Sequence, residues 1–240
     1  MLALLLFIGV VKINFLGFDI ALKDQGIYNF PGLWNFTTWI VGLLKLFLGF
    51  IIVLSVHQEF ANRMFKQNII DGLSKKEFLT SKLLTIGVFA TISTLIVFVV
   101  SLLLGISYSK EVSASLIFQE IYFIPAYFLK LVTFFCLLLF LTILFRNAVF
   151  VFLTFFVLWI IEGIIGAIEF TSMRSVTYST YFPLETISSI VPNPVRRTEM
   201  ANALGQGSIA ESVWTPAIVC ILYTLLYVLW SYRILQKKDW

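Results

Sequence analysis

Charge is what this chain has least of: Asp, Glu, Lys and Arg together make up 12% of its 240 residues. Soluble domains usually carry roughly 25%, so the polar surface here is too small to cover a water-facing globule. Histidine occurs once, at His57, which excludes a multi-histidine metal centre, and no metal site is expected. The two cysteines, Cys136 and Cys220, sit inside apolar runs. They read as buried structural thiols, and a disulfide framework is excluded. The patterns G-x-x-x-x-G-K-[ST], H-E-x-x-H, G-x-S-x-G and G-x-G-x-x-G are all missing. Without a phosphate loop, a zinc-protease helix, a nucleophile elbow or a dinucleotide fingerprint, the chain is not expected to be an enzyme.

What is present is apolar. Hydrophobic residues make up 60% of the chain, 25 of them Phe, and the mean hydropathy is +0.96. These residues come in long runs, not in the period-two alternation of a transmembrane barrel. The expected fold is all-α: a polytopic transmembrane helical bundle forming a single domain over 1–240. About 20 apolar residues cross the hydrocarbon as a helix, which predicts six spans at about 1–18, 34–56, 79–106, 118–145, 148–170 and 214–234. The first is short, because only Met1 to Val11 precede Lys12, a reach of ~17 Å. A signal peptide fits it poorly, for want of a basic n-region and a small-residue cleavage site; a span clipped at its N-terminus is the expectation. Asn35-Phe36-Thr37 matches a glycosylation sequon that occurs often by chance.

Basic residues in short loops set orientation. Arg63, Lys66, Lys75, Lys76 and Lys82 lie at the loop between spans two and three, Arg146 in the turn between spans four and five, and Arg233, Lys237 and Lys238 at the C-terminus. Six spans put these regions on one side, expected to be cytoplasmic along with both termini. The other side holds fewer (Lys12, Lys23, Lys110, Arg174, Arg196, Arg197).

The loop after span two is the most informative stretch. From His57 to Ile70 it reads as a short amphipathic helix, with Phe60, Ala61, Met64, Phe65 and Ile69 on one face and Arg63, Lys66 and Gln67 on the other. Gly72 is placed as its left-handed terminator. A second helix start follows. Ser74 and Glu77 have the spacing of a capping box, and Leu73 with Phe78 that of a hydrophobic staple. Lys75 and Lys76 occupy the first helical turn, where the helix dipole disfavours cations. That placement suits either lipid phosphates at a membrane face or a docking surface for a soluble partner.

Glu59, Arg63, Gln67 to Ser74, Glu77-Phe78 and Ser81-Lys82-Leu83-Leu84 resemble the coupling region of ABC-2 type transporter permeases, in particular small bacterial six-span subunits. The ending Tyr232-Arg233-Ile234-Leu235-Gln236-Lys237-Lys238-Asp239 resembles the basic terminus common in that family. The resemblance implies a half-transporter of the bacterial inner membrane that pairs with a second copy or a homologous permease. Its short cytoplasmic helix, here about 59–71, would seat in a separate ABC ATPase subunit, which would hold the ATP and Mg²⁺; this chain would carry no cofactor. The coupling residues would be Glu59, Arg63, Lys66, Gly72, Ser74, Lys75, Lys76 and Glu77, with Glu59 and Arg63 as i,i+4 partners. The outer segment, about 171–213, would hold short re-entrant helices broken at Pro183, Pro192 and Pro194, with Tyr181 and Trp214 as interfacial anchors. Membrane lipid is the other expected partner, and nucleic acid is not.

Three charges fall near the middle of apolar spans: Lys45, Lys130 and Glu162. A charge at bilayer depth costs ~2.5–3.5 kcal/mol on insertion scales, so each needs a partner or water. A buried Lys45–Glu162 or Lys130–Glu162 pair would fix packing; alternatively the three line a substrate path, or the lysines snorkel to the interface. Gly42 and Gly49 flank Lys45, and Gly166 shares a face with Glu162, which turns both faces toward protein. Besides an ATP-driven exporter, two other classes stay open: a gradient-driven secondary transporter, although no repeat between the halves is evident, and a membrane anchor of an envelope machine such as a gliding apparatus.

Overall fold

The computed structural model describes residues 12–15, 18–21, 29–109, 113–171, 178–194 and 213–237. A two-stranded antiparallel hairpin comes first, β1 (Lys12–Phe15) and β2 (Phe18–Ala21), with Lys12 opposite Ala21. It corrects the expected first span at 1–18. Lys-Ile-Asn-Phe alternates polar and apolar residues, which is the period of a strand, so a helix does not continue through it. The remainder of that expected span, 1–11, lies outside the described residues.

Helices make up the rest: α1 (Leu33–Leu43), α2 (Lys45–Ala61), α3 (Met64–Ile70), α4 (Lys75–Tyr108), α5 (Ala114–Gln119), α6 (Phe123–Phe145), α7 (Ala148–Thr171), a 3₁₀ turn at Ser179–Tyr181, α8 (Pro183–Ser189) and α9 (Trp214–Lys237). Four segments are long and apolar enough to cross a membrane: α4, α5 with α6, α7 and α9. A fifth is added if α1 and α2 count as one span broken at Leu44. Among the described residues there are thus four or five spans, and the six expected are not shown. α4 has 34 residues and reaches about 51 Å, more than the ~30 Å of hydrocarbon; its first turns accordingly lie ahead of the apolar run.

The outward faces identify the solvent. α7 exposes Val149, Leu153, Phe156, Trp159, Ile160 and Ile164, and α4 exposes Leu84, Val88, Leu95 and Leu103. Each such side chain left in water forfeits about 1.5–3 kcal/mol, so lipid must cover them, and the protein is membrane-embedded. The most apolar stretch of the α5–α6 segment is 67% buried, against 17% for that of α7, which makes α6 the core helix.

The backbone forms two compact units. One comprises Met1–Leu43, Ile92–Tyr127 and Val191–Glu211. Trp34 organises it: the indole stacks on Phe98 with centroids 5.7 Å apart, and its Nε1–H donates to the Ile117 carbonyl at 2.8 Å. Asn35 donates to the Pro192 carbonyl, and the Ser101 hydroxyl donates to that of Thr37. Gly105 is required there, because a Cβ at that position would collide with Phe30 and Leu33.

The other unit comprises Leu44–Thr91, Phe128–Ile190 and Ser212–Trp240, and it holds the predicted functional residues. Gly49 lets α2 approach α6 closely, since a Cβ there would meet Leu138 and Phe134. The Thr133 and Thr224 hydroxyls join α6 to α9 at 2.9 Å. Polar contacts also gather several helix ends. His57 donates its Nδ1–H to the Arg146 carbonyl at 2.9 Å, because a carbonyl can only accept, and Lys75 Nζ donates to the Gln236 carbonyl. The end of α2, the α6–α7 turn, the start of α4 and the end of α9 therefore share one side of this unit.

Candidate functional site

The elbow between α2 and α4 is built by local rules. α2 continues to Ala61, and Arg63 then adopts a left-handed backbone (φ 58°) before α3 begins. This corrects the single amphipathic helix expected at 59–71. The left-handed residue resets the helical phase, so Met64 and Ala61 turn outward and Phe65 alone on α3 is buried. Glu59 pairs with Lys82 instead of with Arg63, because no continuous helix places the latter four residues on.

α3 closes with a Schellman motif: Leu73 N–H bonds to the Asn68 carbonyl, Gly72 N–H to that of Ile69, and Gly72 takes the left-handed conformation (φ 103°). One residue later the capping box is present in full. Glu77 N–H donates to Ser74 Oγ at 3.2 Å, and the Ser74 N–H and hydroxyl donate to Glu77 Oε2 at 2.8 Å each. A seven-residue helix has no stability of its own. Its place comes from Phe65, which packs edge-on against Phe78 at 4.6 Å and against Phe60 at 5.2 Å. Lys82, over the Phe78 ring, adds the ion pair to Glu59. The elbow is therefore pinned to the ends of both α2 and α4.

The outer side of this elbow leaves Arg63, Met64, Lys66, Gln67, Ile70 and Lys76 exposed. Beside it an open groove of about 740 Å³ runs along the first turns of α4, past Ser74, Lys76, Glu77, Thr80, Ser81 and Leu84. Of the predicted coupling residues, Arg63, Lys66 and Lys76 offer their side chains outward. Glu59, Gly72, Ser74 and Glu77 hold the elbow's shape, and Lys75 reaches α9. The N–H and then the hydroxyl of Ser74 hold the Glu77 carboxyl below the usual carboxylate range. A depressed carboxyl contributes stability above its unfolded value and loses it as pH falls through the folded value. The protection of the Ser74 and Glu77 amides, taken relative to intrinsic exchange at each pH, is thus expected to fall as the pH is taken below the ordinary carboxylate range, and Glu77→Gln to abolish that pH dependence.

The intramembrane charges stand at similar distances along their helices. Counted at 1.5 Å per residue from Ala61, Phe145 and Ala148, Lys45, Lys130 and Glu162 stand about 24, 22 and 21 Å along α2, α6 and α7. Even so, no ion pair joins them. Lys45 Nζ lies over the Phe134 ring, 5.1 Å from its centre. Lys130, 4% exposed, donates to the Ser188 carbonyl at 3.4 Å. Glu162 accepts from the Leu184 N–H at 3.0 Å and the Glu185 N–H at 2.9 Å.

The contacts of Lys130 and Glu162 share one object, α8. Phe182 gives this helix no side-chain cap, and Pro183 occupies its first turn, so the free N–H groups need an acceptor from elsewhere. Glu162 supplies it at the positive end of the helix, while Lys130 meets a free carbonyl at the negative end. The two charges are matched to the ends of the α8 dipole in place of the direct Lys130–Glu162 contact expected. Glu169, two turns beyond Glu162 on the same face of α7, does likewise for the 3₁₀ turn, accepting from Tyr178 N–H and Ser179 N–H at 3.0 Å. Tyr223 on α9 adds its hydroxyl to the Tyr181 carbonyl at 2.7 Å. Sequence reasoning missed Glu169 and Tyr223. The seven-residue spacing of the two glutamates, ahead of a helix opening on Pro183 without a Ser, Thr, Asp or Asn cap, was the available signal.

No group of three or more metal-ligating side chains occurs among the described residues. No family model, curated protein or solved structure matches this chain, so its function must be argued from its own residues.

Proposed function

We propose that this protein is the membrane-spanning permease subunit of an ATP-driven ABC-2 type exporter, coupled to a separate ATPase chain. The observation that carries the reading is the pinned elbow: a seven-residue helix fixed between two long helices, with Arg63, Lys66 and Lys76 pointing outward from it. A soft loop would absorb the motion of a docked partner. An elbow held by a Schellman motif, a capping box, an aromatic cluster and an ion pair passes a rigid displacement into α2 and α4.

In this reading two copies, or this chain and a homologous permease, form the pathway in a bacterial inner membrane, with the elbow and the end of α9 in the cytoplasm. ATP and Mg²⁺ reside on the partner. Closure of the ATPase pair moves the elbows, and the pathway alternates between inward and outward access as a rigid-body switch. The segment from Tyr178 to Ser189, held by Glu162, Glu169, Lys130 and Tyr223, stands at the outer side of the path. The permease performs no bond chemistry. Co-elution of a candidate ATPase with the wild-type protein in mild detergent, and its loss with Arg63→Glu or Lys76→Glu, is the test. A well-folded wild type that captures no ATPase would overturn the assignment.

A further inference from the structure

A second feature of the same unit is a groove of about 390 Å³ where α8 lies along α7. Its wall is Trp159, Ile160 and Ile164, and Glu162 and Glu185 bring carboxylates to it. Gly163 opens it, since a Cβ built there meets nothing within 4 Å. The two carboxylates differ in availability. Glu162 is engaged by the α8 backbone, whereas the side chain of Glu185 is exposed and has no hydrogen bond or ion pair among the described residues. Lys45 and Lys130 are the cations within electrostatic reach of Glu185. Neither lines the groove: Lys130 is held on the Ser188 carbonyl and Lys45 on the Phe134 ring.

We propose that this groove binds a small single-chain cationic amphiphile, its amine at Glu185 and its apolar body along Trp159, Ile160 and Ile164. Charge complementarity selects the occupant. An anionic headgroup would face two carboxylates, and a neutral acyl chain would cover the wall but leave Glu185 with no cation in contact, its nearest being Lys45 and Lys130 held elsewhere. Trp159 strengthens the preference, because an aromatic face attracts an organic cation. Size selects further. The groove is at the lower end of the roughly 300–1,000 Å³ usual for small-ligand sites, far too small for a two-chain phospholipid. The site stands on the groove's own geometry, not on ATP-driven transport, and either assignment can fail without the other.

The test is equilibrium binding of rhodamine 6G, followed by anisotropy, to the full-length protein in neutral maltoside micelles without any ATPase. Dodecyltrimethylammonium and dodecyl phosphate serve as competitors. The expected result is saturable binding displaced by the ammonium compound and not by the phosphate. Gly163→Leu, which fills open space, is expected to weaken it by about tenfold or more, and Glu185→Gln by about fivefold. Should Gly163→Leu fail to fold, Glu185→Gln and Glu185→Lys carry the test, with an unchanged melting midpoint as the control. Absence of saturable binding, equal displacement by dodecyl phosphate, or affinity unchanged in the variants that fold would overturn the proposal.

Discussion

Replacing Glu162 with leucine is expected to destabilise the protein by about 2–4 kcal/mol, through the loss of acceptors for two backbone N–H groups of α8. The cost is large because Pro183 and Phe182 offer no substitute acceptor. Glu162→Gln keeps one oxygen acceptor and loses the charge, so roughly half of that effect is expected. Lys130→Met is expected to be close to neutral, since the ammonium has one long bond to a carbonyl and its burial is itself costly. The combination separates the observed arrangement from a direct ion pair. With α8 between the two groups, a double-mutant cycle of Glu162→Gln and Lys130→Met should give a coupling below about 1 kcal/mol. Breaking a buried contact pair costs about 3–5 kcal/mol, and a coupling of that size would show that the charges touch. Thermal unfolding in a single detergent reads all four proteins.

Charge reversal at the elbow is expected to act on binding, not on folding. Arg63 and Lys76 are exposed, so Arg63→Glu and Lys76→Glu should leave the melting midpoint unchanged. Each should weaken association with the ATPase by about 10–100-fold, the range for a mispaired charge at an interface. Gly72→Val should behave differently. Its added side chain meets no atom within 4 Å, so the cost lies in the backbone: a β-branched residue at φ 103° is strained by about 1–2 kcal/mol. The turn would open, and the direction in which α4 enters the membrane would no longer be fixed. Hydrolysis that continues without transport is the expected phenotype. Restoration by asparagine, which tolerates a left-handed backbone better than valine, would tie it to this conformation.

What could be read from residues alone was whatever follows from local spacing. Ser74 and Glu77 stand three apart, and Gly72 follows a helical run; the capping box and the Schellman turn are consequences of those distances. The apolar runs placed α4, α6, α7 and α9 within a few residues of their observed bounds. The expectation failed where long-range contacts decide. Nothing in the sequence near Arg63 announces a left-handed residue that breaks the helix, and Glu59 finds Lys82, 23 residues away, instead of the neighbour four on. The intramembrane charges failed for a related reason. Counting side chains suggests pairing a lysine with a glutamate, whereas the backbone ends of a short helix are themselves partial charges and take both. The uncapped start at Pro183 hinted at this, but the identity of the acceptor depended on how α7 packs beside it.

The central claim, that the elbow seats a separate ATPase, is tested most directly by photo-crosslinking in living cells. Benzoylphenylalanine would replace Lys66, exposed on α3, and in a control would replace Tyr181 in the 3₁₀ turn. The account predicts an adduct from position 66 with a soluble chain carrying a phosphate-loop motif, weakened by Lys76→Glu, and no such adduct from position 181. Position 66 yielding only lipid adducts, or the same protein partners as position 181, would contradict it.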